Sequence, residues 1–137
     1  MKKSLVLLLI SSLVSGLYAR QPRTVVEPPF AFRNSGTLEI KRIELAPEST
    51  TVYIQAYFRP HNWIRISSET YIRAGAEGEK LTVRSADGMP LDTEFYMPET
   101  GRHDFSLSFP PVDPKTAKID LIESDCPDCF KIYDIDL

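Results

Sequence analysis

The pattern of the sequence predicts an all-β fold, and three observations carry that expectation. Short runs of alternating apolar and polar residues recur along the chain, and turn signals separate them about every ten residues. Beyond residue 20, no stretch sustains the three-and-four apolar spacing of a helix over about ten residues.

The first residues stand apart from this pattern. Lys2 and Lys3 precede an apolar run from Leu5 to Leu13, and small or neutral residues lead to Ala19. That order predicts a secretory signal peptide over residues 1–19, cut after Ala19, with an uncleaved anchor as the alternative. The apolar run is about half of the ~20 residues a spanning helix needs, so no stable membrane span is expected after cleavage. No cysteine follows it to carry a lipid. The expected address is the periplasm, the cell surface or the medium.

Residues 20–29 hold Pro22, Pro28 and Pro29 without periodicity and are expected to be an extended lead-in, with the folded domain over residues 30–137. After Gly36, Leu38 and Ile40 share one face, whereas Ile43 and Leu45 have the opposite parity; the switch at Lys41 and Arg42 predicts a β-bulge. The clearest strand runs from Thr51 to Phe58, with Val52, Ile54, Ala56 and Phe58 facing the core and Tyr53, Gln55 and Tyr57 facing away. Pro60 to Asn62 turn into the run Trp63 to Ile66, and Thr70 to Arg73 form a further short strand. Leu81 and Val83 alternate with polar residues, and Asp87-Gly88 predicts a hairpin returning through Leu91, Thr93, Phe95 and Met97.

Past the turn at Pro98 to Gly101, Phe105, Leu107 and Phe109 make a strongly apolar face, which Pro110, Pro111 and Pro114 terminate because each lacks a backbone donor. Lys115 to Lys118 are expected to make one helical turn before the strand at Ile119 and Leu121. Phe130 and Ile132, followed by Ile135 and Leu137, repeat the parity switch and predict a second bulge at Tyr133 and Asp134. Many short strands of this kind predict a two-sheet antiparallel β-sandwich, of which the immunoglobulin-like Greek key is the commonest form.

The chain carries 19 acidic and 16 basic residues, a net charge of −3, and losing Lys2 and Lys3 with the signal makes it more acidic still. Nucleic acid is therefore not an expected partner. The acids at Asp120, Glu123, Asp125, Asp128, Asp134 and Asp136 are expected to be solvated strand edges and turns rather than a cation site.

The sharpest chemical motif is Cys126-Pro127-Asp128-Cys129, the spacing of thiol–disulfide oxidoreductases. In those enzymes a helix N-terminus stabilises the first thiolate, but here a strand pattern follows from Phe130 to Leu137. Two cysteines in an exported chain are expected to close a structural disulfide across the turn, with an idle thiol pair or a redox centre as alternatives. Zinc takes about four ligands, and the other soft donors, His61 and His103, are distant in sequence. Neither a metal nor a cofactor is expected.

Ser106 or Ser108 could be paired with His61 or His103, yet no nucleophile elbow or glycine-built oxyanion loop accompanies them. Glu94 and Glu99 are expected to be ordinary exposed acids rather than a pair for sugar chemistry. No catalytic residue is thereby assigned. The candidate binding surface is aromatic: Tyr53, Tyr57, Trp63, Tyr71 and Tyr96, if their runs pair, would supply large contact area at low entropy cost. If a second sheet covers them they are core, and Trp63 in particular is expected to be buried, as one tryptophan often is in such sandwiches.

Taken together, Trp63-Ile64-Arg65-Ile66, Gly88-Met89-Pro90-Leu91, Met97-Pro98-Glu99-Thr100-Gly101, the run Phe105 to Pro111, Ile119 to Glu123 and Cys129 to Ile135 resemble a small β-sandwich domain of exported Bacteroides-type proteins. In those proteins it occurs alone or ahead of a thioredoxin-like domain. The resemblance covers about two thirds of the chain. It implies an all-β accessory domain and carries over no catalytic residue; the chain as given reaches Leu137, where the thioredoxin-like part of two-domain relatives would start, so their redox activity is not transferred.

The expected function is therefore non-enzymatic: an interaction or structural accessory module that contacts another exported protein through a sheet face or an edge strand. Two rival readings are a thiol–disulfide accessory using Cys126 and Cys129, and a small hydrolase or carbohydrate-binding domain using the aromatic patch.

Overall fold

Alternation and turn chemistry build twelve strands and no helix among residues 21–137, which the computed structural model describes; the expected signal at residues 1–19 lies outside them. In chain order the strands are β1 (Arg23–Val26), β2 (Phe32–Arg33), β3 (Leu38–Leu45), β4 (Thr50–Tyr57), β5 (Trp63–Ile64) and β6 (Tyr71–Arg73). The later strands are β7 (Leu81–Thr82), β8 (Ser85–Asp87), β9 (Phe95–Tyr96), β10 (Arg102–Phe109), β11 (Lys118–Ile122) and β12 (Lys131–Asp136).

One five-stranded sheet has the order β1-β3-β4-β10-β8 and the other β2-β12-β11-β6-β7, while β5 and β9 form a separate ribbon. Every pairing is antiparallel. The inner faces meet in one cluster: Val52, Ile54, Phe105, Leu107 and Phe109 from the first sheet, and Ile72, Ile119, Leu121, Ile132 and Ile135 from the second. Burying each such side chain contributes about 1.5–3 kcal/mol, which makes this interface the main source of stability. The antiparallel sandwich is thus present, whereas this strand order does not by itself define an immunoglobulin-like Greek key.

Both expected bulges are present. In β3, Ile40 faces Ile54 and Arg42 faces Tyr53, so Lys41 is the extra residue and the buried positions change from Leu38 and Ile40 to Ile43. In β12, Ile132 faces Leu121 and Ile135 faces Ile119, leaving Tyr133 and Asp134 opposite Asp120 alone. Asp134 there adopts φ 53°, a left-handed conformation that aspartate tolerates better than most residues. Its N–H donates to the Asp120 carboxylate at 3.0 Å, and Arg73 Nε donates to the same group at 3.4 Å.

Several elements differ from expectation. The lead-in is extended, but Arg23–Val26 also pair with β3 as an edge strand. The Asp87-Gly88 hairpin does not form, because the chain changes sheets just before it. Val83 N–H donates to Thr70 O beside one sheet, and Arg84 N–H donates to Ser108 O in the other, so β7 and β8 belong to opposite layers. Gly88, at φ 86°, is still required there: a Cβ would stand 3.0 Å from the Asp104 carbonyl.

Lys115 to Lys118 make no helix. Asp113 closes a turn through its carbonyl to Thr116 N–H and its side chain to Lys115 N–H, and Lys118 already opens β11. Phe58 shares the core parity of β4, yet the strand ends at Tyr57 and the ring is 39% exposed.

Candidate functional site

The five aromatic residues go to three different places. Tyr53 and Tyr57 lie half-exposed on the outer face of β4. The Arg42 guanidinium sits 3.5 Å from the centre of the Tyr53 ring, and the Tyr53 hydroxyl donates to Glu44 at 3.1 Å. Tyr57 donates to Gln55, which in turn donates to Asp104 at 2.8 Å. Arg42 already occupies one face of the ring, and the hydroxyl is engaged by Glu44, so Tyr53 is a less open stacking surface than an uncovered aromatic.

Tyr71 is buried opposite Ile122, with Lys80 Nζ 4.7 Å from its ring centre. Trp63 and Tyr96 face each other across the ribbon and are 46% and 61% exposed. The expected burial of Trp63 is therefore incorrect: the tryptophan sits on the ribbon, outside the two sheets that enclose the core. Only Trp63 and Tyr96 are brought together as an exposed pair.

The ribbon is anchored from behind. Ile64, the cross-strand partner of Phe95, is buried in the main core, as is Met97 just beyond β9. Met97 O accepts from His61 N–H at 3.0 Å, and Met97 N–H donates to Asn62 O at 2.8 Å. Phe95 stacks on His103 with centroids 4.2 Å apart, and His103 Nε2 meets Gly88 O at 2.6 Å. His103 is thus an anchoring side chain, His61 is exposed at φ 63°, and neither bonds Ser106 or Ser108 among the described residues. Glu94 accepts from the Tyr96 hydroxyl at 3.2 Å, while Glu99 is exposed on a turn.

The cysteine loop lies at the end of β11. Cys126 and Cys129 are at disulfide distance with Cα atoms 5.2 Å apart, Cys126 exposed and Cys129 buried. Backbone bonds close the loop at both ends, from Glu123 N–H to Phe130 O at 3.0 Å and from Cys129 N–H to Cys126 O at 3.2 Å. The Asn34 side chain clamps it further, donating to Cys129 O and accepting from Lys131 N–H, each at 2.8 Å. The loop leads directly into β12, so among the described residues no helix N-terminus faces the sulfurs.

Glu123 is the residue that sequence reasoning placed among the solvated acids. Instead its carboxylate and the two sulfurs all lie within 4.8 Å of one another. Burial pushes its pKa up from 4.5 to about 7, with Arg65 pulling the other way. A carboxylate in that position disfavours a thiolate beside it, so the loop is poorly arranged for a nucleophilic cysteine. The spacing Glu-x-x-Cys-x-x-Cys was visible in the sequence, but the loop reversal that brings its members together was not. A cleft of about 200 Å³ lined by Ile64, Arg65, Glu123, Asp128 and Phe130 lies between this loop and the base of the ribbon.

Among the described residues no helix is long and apolar enough to cross a membrane. No protein family, curated protein or solved structure matches the chain. The fold and this end of the molecule define a β-sandwich domain with an anchored aromatic ribbon beside a closed cysteine loop.

Proposed function

We propose that the protein is an exported, non-catalytic interaction module, and that the ribbon carrying Trp63 and Tyr96 is its contact face for another exported protein. The observation behind this reading is the exposed cross-strand pair on a ribbon fixed by Ile64, Met97 and the Phe95–His103 stack. Rigid aromatics with exposed charged neighbours, here Arg65 and Glu94, are the composition of an interface centre and its rim. The signal-like residues 1–19 and the likeness to Bacteroides-type accessory domains support the exported, non-enzymatic part of the reading.

A photo-crosslinking residue placed at Tyr96, and separately at Tyr53, in the producing cell tests this. A discrete protein adduct from position 96 that is lost in Trp63→Ala and missing from position 53 is expected. Equal labelling from both positions, or none, would refute the assignment. Sugar binding on a glycan array that Trp63→Ala abolishes would replace the protein partner by a carbohydrate.

A further inference from the structure

We propose that Glu123, Cys126 and Cys129 form a binding site for a thiophilic divalent cation of the zinc class, available only when the disulfide is reduced. Three donor atoms, two sulfurs and a carboxylate oxygen, already lie within 4.8 Å of one another. Catalytic and exchangeable zinc sites commonly use three protein ligands and one water, so the set is sufficient without either histidine. The adjoining cleft, lined by Arg65, Glu123, Asp128 and Phe130, gives a cation its way in and leaves room for the water.

The site is held together by parts that do not depend on the disulfide. Asn34 spans Cys129 O and Lys131 N–H, and Glu123 N–H is bonded to Phe130 O, so both stems of the loop stay in register when the sulfur–sulfur bond opens. The electrostatics separate this role from thiol exchange. A carboxylate next to two cysteines opposes an isolated thiolate, but a dication among the three donors reverses the sign and stabilises all of them.

A dithiol reductant gives two electrons to the Cys126–Cys129 bond and departs as its own cyclic disulfide, leaving two thiols. The cation then displaces the two thiol protons to water and forms two metal–sulfur bonds. In reverse, a small-molecule disulfide takes up two electrons from the pair and two protons from water and leaves as two thiols, while the Cys126–Cys129 bond re-forms and the metal is released. The ribbon plays no part, since neither Trp63 nor Tyr96 supplies a donor.

Cadmium is the probe: the full chain, reduced by a phosphine that does not compete for metal, is titrated while thiolate-to-cadmium absorption is followed in the ultraviolet. One equivalent is expected to bind to the reduced protein and none to the oxidised protein, with zinc displacing the signal. Cys126→Ser, at an exposed position, should abolish the band with the sheet circular dichroism unchanged. Glu123→Gln, of the same size, should weaken binding at least tenfold or so, the scale at which even outer partners of a metal act. The site as assigned falls if the reduced protein gives no band, if Glu123→Gln binds as tightly as wild type, or if binding accompanies loss of the sheet signal.

Discussion

Asp120, midway along β11, and Glu123, just past its end, stand three residues apart, and the protein treats them in opposite ways. Asp120 is 5% exposed and receives two directed donors, Arg73 Nε and the N–H of Asp134. Glu123 is half-buried with no such donors among the described residues, beside two sulfurs, and its carboxyl holds its proton up to about pH 7. The difference teaches that a buried carboxylate is tolerated either by partners that stabilise its charge or by giving the charge up. The first arrangement fixes structure. The second leaves a group that a proton or a cation can still address.

The largest expected effect comes from removing the partnered acid. Asp120→Ala strands the Arg73 guanidinium and the Asp134 N–H at the bulge and should cost about 3 kcal/mol in denaturant unfolding. Asp120→Asn, which keeps an acceptor, should cost clearly less; equal losses would mean that the bulge does not depend on these bonds. Opening the cysteine loop comes next. Cys126→Ser should lower stability by no more than about 2 kcal/mol, because so short a closed loop removes little entropy from the unfolded chain.

Glu123 should show itself through pH. Its folded pKa of about 7 lies above its ordinary 4.5, so between these values the folded state binds the extra proton. Its contribution to stability is fully present below about pH 4.5 and is lost as pH rises through 7, where the slope flattens. Comparing thermal midpoints of wild type and Glu123→Gln across that window should show the wild-type decline removed in the variant. A variant with an unchanged slope would place the titration elsewhere and dissolve the contrast with Asp120.

The smallest effects belong to the two bulges themselves. Asp134→Gly relieves the left-handed backbone at φ 53° and should stabilise by about 1 kcal/mol at most, measured by the denaturation midpoint. Lys41→Ala should leave the midpoint unchanged, since its partners Glu27 and Glu39 are exposed surface pairs. The two bulges are alike in count and unlike in construction: one is a surface kink, and the other is tied through a buried acid.

The bulges were legible in the sequence because a period-two pattern records every inserted residue as a change of face. Ile40 to Ile43 and Ile132 to Ile135 could not be read otherwise. The same rule misplaced Phe58, since parity continues past the residue where pairing stops. Trp63 was misplaced for a related reason: an apolar run says that a strand exists without saying which sheet, if any, accepts it. Arg23–Val26 carried no alternation at all, being an edge strand that is largely exposed on both sides. Asp87-Gly88 gave a sound turn signal, but the crossing at Val83 and Arg84 had already sent the chain to the other layer. The metal-ligating potential of Glu123 was hidden because spatial proximity across a reversed loop has no periodicity.

The outer strands of the sandwich have one more consequence. Of the four that border the two sheets, β2 and β7 have two residues each and β8 has three, and only β1 reaches four. A border this short presents too few unpaired backbone groups in line to template another chain. Copies of the protein crowded together at high concentration therefore have little to zip onto, so the sandwich resists polymerising into fibrils by the shape of its margins rather than by its charge.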